Sequence, residues 1–254
     1  MDVIFFYGGI MEKYIESFDT YTSDFDMHDK LVFSRYNHSY RVMELSRHLS
    51  QSLKWEQKDV ELAMIIGLIH DYGRFEQIKS YNTISDKDSV DHAEYAIKFL
   101  FDENRITDFT KDEETYSIIR KSIYYHNKYA LPVRGLTRTE RRHMKLLRDS
   151  NRLDIMYREA ILKESNLSVG NCEIKDSIKN SFFESRIVPY IMTSNSIEVV
   201  IHLLSLIFDL NYIESFRYLK MIHLLDIFYL NLSSPSSLKP YFDFALNYIE
   251  GKCS

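Results

Sequence analysis

This sequence predicts an all-α fold, and three observations carry that prediction. Only seven Gly and four Pro occur in 254 residues, so helix breakers are scarce. Apolar residues recur at three- and four-residue intervals along most of the chain, the period of helices that bury one face. The period-two alternation of a half-buried strand is scarce. No internal repeat or low-complexity linker divides the pattern. The expectation is a single all-α domain over residues 1–254, with a helical core at about 30–160 and helical C-terminal part at about 161–254 packed on it.

Residues 11–23 read as a short helix with Tyr14, Ile15, Phe18 and Tyr21 on one side. Met11 is a candidate start, because the pattern before it is poorly helical. From about Phe33, residues Tyr36, Tyr40, Val42, Met43, Leu45, Leu49 and Leu53 keep helical spacing, with His38 near the beginning. Trp55–Asp59 is a short polar break, and such breaks join antiparallel neighbours. The run from Val60 to Leu68 reads as a buried helix, ending in Ile69-His70-Asp71-Tyr72-Gly73. Gly73 is expected to turn the chain away there. Residues 79–89 read as a polar loop. A helix over 90–100 carries His92 near its start, where Asp91 and Glu94 suit the helix dipole. A helix over 113–129 carries His126 near its end and stops before Pro132. Thr137 or Thr139 caps a basic helix from which Met144, Leu147, Leu153, Ile155 and Met156 pack inward. Residues 165–195 are mixed and polar, and the last helices fall near 196–209 and 212–232.

Composition narrows the function classes. Net charge is −5 and pI about 6.0, so no global basic field points to nucleic acid. Arg134, Arg138, Arg141, Arg142, Lys145 and Arg148 scatter around a helix instead of alternating with stacking aromatics, so RNA binding is not expected. Cys172 and Cys253 are far apart and form no CxxC, which suits reduced thiols and a cytoplasmic protein. The start MDVIFFYGG lacks a basic n-region, and a signal peptide is not expected. No apolar run has the length of a membrane span.

The chemistry begins at His70-Asp71. A buried apolar helix delivers them side by side, and a buried carboxylate without a partner costs several kcal/mol. A divalent metal is the partner that also uses the imidazole. The dipeptide alone is common. His38, His92 and His126 at other helix ends, with Asp149 and Asp154 further on, turn it into a constellation. Singly, each has a plainer reading: a surface residue for His38, a solvated first turn for His92, a helix C-terminal cation for His126. His28, His48, His143, His202 and His223 read as structural or exposed.

Along an all-helical chain, H…HD…H…H…D resembles the HD-domain family of metal-dependent phosphohydrolases. The residues that carry the resemblance are Tyr36-Asn37-His38-Ser39, the segment GLIHDYGRFEQ at 67–77, Asp91-His92-Ala93-Glu94, His126-Asn127-Lys128-Tyr129 and Arg148-Asp149-Ser150-Asn151-Arg152-Leu153-Asp154. They are most similar to a bacterial group of HD proteins with LLHDIGRFEQ-like and RDADKLD-like segments, and Phe208–Tyr212 also resembles that group. The likeness covers most of residues 18–230. It implies an HD-domain-like helical bundle with one or two divalent ions per chain: Mn, Fe, Zn, Ni, Co or Mg. It implies His38, His70 and Asp71 as direct ligands and His92 and His126 as the positions that hold a second ion. If so, the last two rings lie within roughly 8 Å of the Asp71 carboxylate. At Asn151 the chain departs from the group, which has a ligating Asp there. An amide oxygen is a neutral, weaker donor. Asp154, three residues on, shares roughly its helix face. Either Asp154 compensates, or metal is held less tightly, or catalysis has been lost.

The function implied is a phosphomonoesterase or phosphodiesterase acting on a small phosphorylated, nucleotide-like substrate. Asp71 or Asp154 would orient or deprotonate the attacking water. Arg74 and Lys128 would bind the phosphate, with surface salt bridges as their other reading. The alternative is a degenerate HD domain that binds nucleotide or metal without catalysis, which Asn151 favours. A homo-oligomer is compatible with either.

Overall fold

The computed structural model describes residues 9–170, 172–233 and 235–254; the apolar start at 1–8 lies outside them. The described residues form helices and no strand. None of these helices is long and apolar enough to cross a membrane. The chain divides into two compact units, one ending at Leu147 and one beginning at Arg148.

In the first unit, α1 (Gly9–Thr22) buries Phe18 and Tyr21. Helix α2 (Lys30–Ser52) starts at Asp29, whose side chain accepts from the Leu31 N–H, an N-cap. After a break at 53–56 comes α3 (Gln57–Ile69), buried along nearly its whole surface. Helices α2 and α3 lie along each other, and Gly67 allows it: a Cβ there would come within 2.9 Å of Ser46 Oγ and 3.0 Å of the Met43 Cα. The chain then bends at Asp71, at φ −97° and ψ 18°, in the sparsely allowed bridge region.

Helix α4 (Tyr72–Tyr81) follows at once. Its length corrects two expectations. The polar loop begins only at Asn82, whose left-handed φ of 51° ends the helix. Gly73 is a helical residue and turns nothing; a Cβ there would lie 2.3 Å from the His92 carbonyl oxygen and 2.5 Å from the Ala96 nitrogen. It is the contact point of α4 with α5 (His92–Ile97), which passes into a π-helical turn at Lys98–Asp102. Helix α6 (Tyr116–Tyr125) ends four residues earlier than expected. Helix α7 (Arg138–Tyr157) opens on a capping box: Thr137 Oγ1 accepts from Glu140 N–H at 3.1 Å and Glu140 Oε2 from Thr137 N–H at 2.8 Å.

The second unit begins within α7 and adds α8 (Asp176–Phe183), α9 (Ser196–Ser205), α10 (Ile213–Met221), α11 (Leu224–Asn231) and α12 (Lys239–Cys253). Helix α8 interrupts the stretch read as polar, and α12 follows the last expected helix. The helix expected over 212–232 is two, because His223 takes a left-handed φ of 49°. Asp149 anchors the next segment. It accepts from Asn211 N–H at 2.9 Å, Asn211 Nδ2 at 2.8 Å, Tyr212 N–H at 3.0 Å and Ser215 Oγ at 2.7 Å. Arg148 and Arg152 pair with Asp209 at 2.6 and 3.2 Å.

Two predictions follow from this packing. Gly73→Ala forces backbone apart at α5 and should lower stability in urea unfolding by about 1–3 kcal/mol, whereas Gly170→Ala, with open space around it, should change it by less than about 0.5 kcal/mol; equal losses would contradict the packing. His143 is buried against Asp59, 3.4 Å away. Burial, aided by Arg142 and opposed by Asp59, lowers its pKa to about 4, against about 6.5 unfolded. The unfolded chain therefore binds the extra proton between those values. The contribution of His143 is full above pH 6.5 and lost as pH falls to 4. His143→Gln should shrink the stability difference between pH 7 and pH 4.5 by up to about 3 kcal/mol; an unchanged difference in denaturant titrations would exclude this.

Candidate metal centre

Four helix segments of the first unit deliver one cluster. His70 caps the C-terminal end of α3 and Asp71 sits in the bend after it. His38 comes from α2. His92 is the first residue of α5, behind an N-cap in which Asp91 accepts from Ala93 and Glu94 N–H. His126 caps the C-terminal end of α6. All five side chains are buried, none in a residue more than 3% exposed.

Their Nε2 atoms surround the Asp71 carboxylate. Oδ2 lies 3.6 Å from His38. Oδ1 lies 3.7 Å from His70, 3.4 Å from His92 and 3.6 Å from His126. His38 Nε2 is 3.2 Å from His70 Nε2, and His92 Nε2 is 3.0 Å from His126 Nε2. Two groups of three result, His38-His70-Asp71 and Asp71-His92-His126, sharing the carboxylate.

The far nitrogens fix what these Nε2 atoms offer. His70 Nδ1 donates to the Gly67 carbonyl at 2.8 Å and His126 Nδ1 to the Ile123 carbonyl at 2.6 Å. A carbonyl only accepts, so Nδ1 carries the proton and Nε2 of the neutral ring presents a lone pair. His92 Nδ1 is likewise turned to Asp86 Oδ2, at 2.6 Å. Burial holds His70 well below the ordinary imidazole value, against the pull of Asp71. Burial and the Arg74 charge bring His92 to about 4, against Asp86 and Asp71. For Asp71, burial acts upward, but the neighbouring His70, His126, His92 and Arg74 outweigh it and keep the carboxyl well below its usual range. In the neutral rings the Nε2 lone pairs of His70, His92 and His126 thus face this cluster and an ionised carboxylate. Acceptors at such distances repel unless a cation lies among them, and neutral imidazole with carboxylate is a donor set for a divalent ion.

Arg35 stands one turn before His38, with Nη1 3.5 Å from Asp71 Oδ2. The i, i+3 spacing to His38 is its only signal in the sequence. Asp86, in the polar loop, has no such signal. Arg74 Nη1 donates to Asp86 Oδ1 at 2.5 Å and to the Ile84 carbonyl at 2.6 Å. Lys128 Nζ lies 2.5 Å from Asp91 Oδ2 and 3.2 Å from Glu94 Oε1. Both expected phosphate-binding cations thus face carboxylates of the first unit. In the second unit, Asn151 and Asp154 are buried on α7. The Asn151 Oδ1 atom has no hydrogen-bond partner among the described residues.

Residues 35–160 match the family model described as HD domain. No curated protein and no solved structure matches the chain. The chain carries an HD domain over those residues and belongs to the HD-domain superfamily, an all-α family generally of hydrolases whose members bind divalent metals.

Purified protein is expected to contain a divalent ion, and His70→Ala to lose it. Elemental analysis of both decides, and equal metal in the variant would remove His70 from the site.

Proposed function

We propose that this HD-domain protein is a metal-dependent phosphohydrolase, cleaving a phosphomonoester or phosphodiester of a small nucleotide-like molecule. The observation that best supports this is the convergence of four imidazole Nε2 atoms on one buried carboxylate. His38, His70 and Asp71 would hold one divalent ion and Asp71, His92 and His126 a second, and so many imidazoles favour a transition metal. When bound, the metal lowers the pKa of water and offsets charge on phosphoryl oxygens.

The chain's own residues supply the rest. Burial keeps His70 and His92 neutral at pH 7, and the Nδ1 hydrogen bonds hold the rings in place. Arg35 is the cation best placed for a phosphate. Its guanidinium stays charged at any working pH and offers a planar fork of donors, 3.5 Å from Asp71 Oδ2. Arg74 and Lys128 hold shorter ion pairs, each at 2.5 Å with Asp86 and Asp91 respectively, than Arg35 holds with Asp71. By the family likeness, Asp71 or Asp154 would orient the attacking water or accept its proton. Asp149, the other buried acid of α7, is already taken up by Asn211, Tyr212 and Ser215. The free thiols Cys172 and Cys253 support a cytoplasmic setting.

Asn151 favours a second reading, a metal- or nucleotide-binding domain without turnover. Its amide brings a dipole where a carboxylate would bring a charge. Asn151→Asp separates the two. In a weakened hydrolase it should raise metal affinity about 10–100-fold and raise turnover on a panel of nucleoside monophosphates, cyclic nucleotides and p-nitrophenyl esters. Metal binding without turnover in either protein would leave the binding role. If Asp154 already acts as a ligand, Asp154→Asn should release metal while Asn151→Asp changes little. No change in metal content from either substitution would take both residues out of the site.

A further inference from the structure

The loop between α4 and α5 is tied to α4 by side chains that no element of the site yet explains. Arg74 and Gln77, three residues apart on one helix face, both reach into it. Arg74 Nη1 donates to Asp86 Oδ1 at 2.5 Å and the Ile84 carbonyl at 2.6 Å. Gln77, fully buried, directs Nε2 to Asp86 Oδ1 at 3.1 Å, Ser89 Oγ at 2.8 Å and the Val90 carbonyl at 3.0 Å. Both hold the same oxygen of Asp86. The other oxygen faces His92 Nδ1 at 2.6 Å, with Asn127 Nδ2 at 3.5 Å. Across the imidazole, His92 Nε2 lies 3.4 Å from Asp71 Oδ1.

We infer that Asp86, clamped by Arg74 and Gln77, is the positioning residue of His92: it fixes the proton on Nδ1 and aims Nε2 at the metal centre. This deepens the metal reading above and rests on it. A carboxylate that accepts a hydrogen bond from Nδ1–H settles the tautomer, restricts rotation of the ring and raises its basicity as a ligand. His70 and His126 donate instead to backbone carbonyls of their own helices, which come with the helix end. His92 opens a helix, so no preceding turn of its own helix supplies one. Its acceptor comes from a loop, and a loop carboxylate must itself be held. The residues after His70-Asp71 divide that work. Gly73 admits α5 at close range, and Arg74 and Gln77 set Asp86. Arg74 is therefore a strut of the site and not its phosphate cation.

The test uses the full chain and Mn2+ alone, titrated calorimetrically. Asp86→Ala should bind Mn2+ about 10–100-fold more weakly at the His92 end. Ser85→Ala, which removes only the bond from Ser85 Oγ to Asp88, should bind as wild type does. Ring 15N shifts of the unsubstituted, metal-free chain should show His92 protonated at Nδ1 and bare at Nε2. In Asp86→Ala the two tautomers should mix while His70 keeps its own. Mn2+ binding by Asp86→Ala equal to wild type would overturn the inference. So would a wild-type His92 protonated at Nε2, a result that stands even if the variant does not fold. Neither readout involves turnover. Intact Mn2+ binding and the expected tautomer with no phosphoester cleaved would sink the hydrolase reading and leave the role of Asp86 standing.

Discussion

Everything in the first unit depends on one electrostatic conflict. His92 and His126 bring their Nε2 atoms within 3.0 Å of each other, and Asp71 lies 3.4 Å from the first and 3.6 Å from the second. With the protons fixed on the far nitrogens, all of these are acceptors. In water such a cluster would spread apart. In a buried site a net repulsion of this kind is large, and only the packing of the helices keeps the groups together. That preorganisation means the cost of gathering the ligands is met on folding, so a divalent ion would meet a set already assembled.

The packing that does this relies on close backbone approach. Gly67 lets α2 and α3 run side by side, which sets His38 against His70. Gly73 lets α4 meet the first turn of α5, which brings His92 to Asp71. Neither glycine is used for a turn. Each replaces a side chain by contact between main chains, where an added methyl group would push a ligand-bearing helix outward. Functional geometry and stability are thus coupled at the same two positions, and the bend at Asp71 between them places a carboxylate where neither helix alone would put it.

How far the sequence showed this differs by element. Helices α1, α2, α3 and α7 carry long apolar periods, and they are where expected to within a few residues. Helix α4 is short and opens on a motif rather than a period, so its residues passed for the approach to a loop. The break at His223 was invisible, because nothing in Leu-Lys-Met-Ile-His-Leu-Leu marks a left-handed residue. At the site, His38, His70, Asp71, His92 and His126 were named from spacing and family likeness, and the structure brings them together. Arg35 and Asp86 were not named. An arginine on an amphipathic helix looks like any solvated residue. Asp86 is one acid among Asp86, Asp88 and Asp91 in a polar loop, and only the fold selects the one that meets an imidazole.

Helix α7 shows how neighbouring residues of one motif come to differ. Asp149, Asn151 and Asp154 are all buried, and Asp149 has protein donors sufficient to occupy both its oxygens. Even so, burial pushes its carboxyl up to about 6 against those bonds, so its donors are a structural necessity and it has nothing left to offer a ligand. Asn151 is the opposite case. Its Oδ1 is enclosed without a donor among the described residues, a state that costs about 1–3 kcal/mol. An apolar side chain of similar size would avoid that cost. A buried amide oxygen without a donor is compatible with the proposed role of Asn151 as a neutral metal ligand, since a cation would need no donor from it.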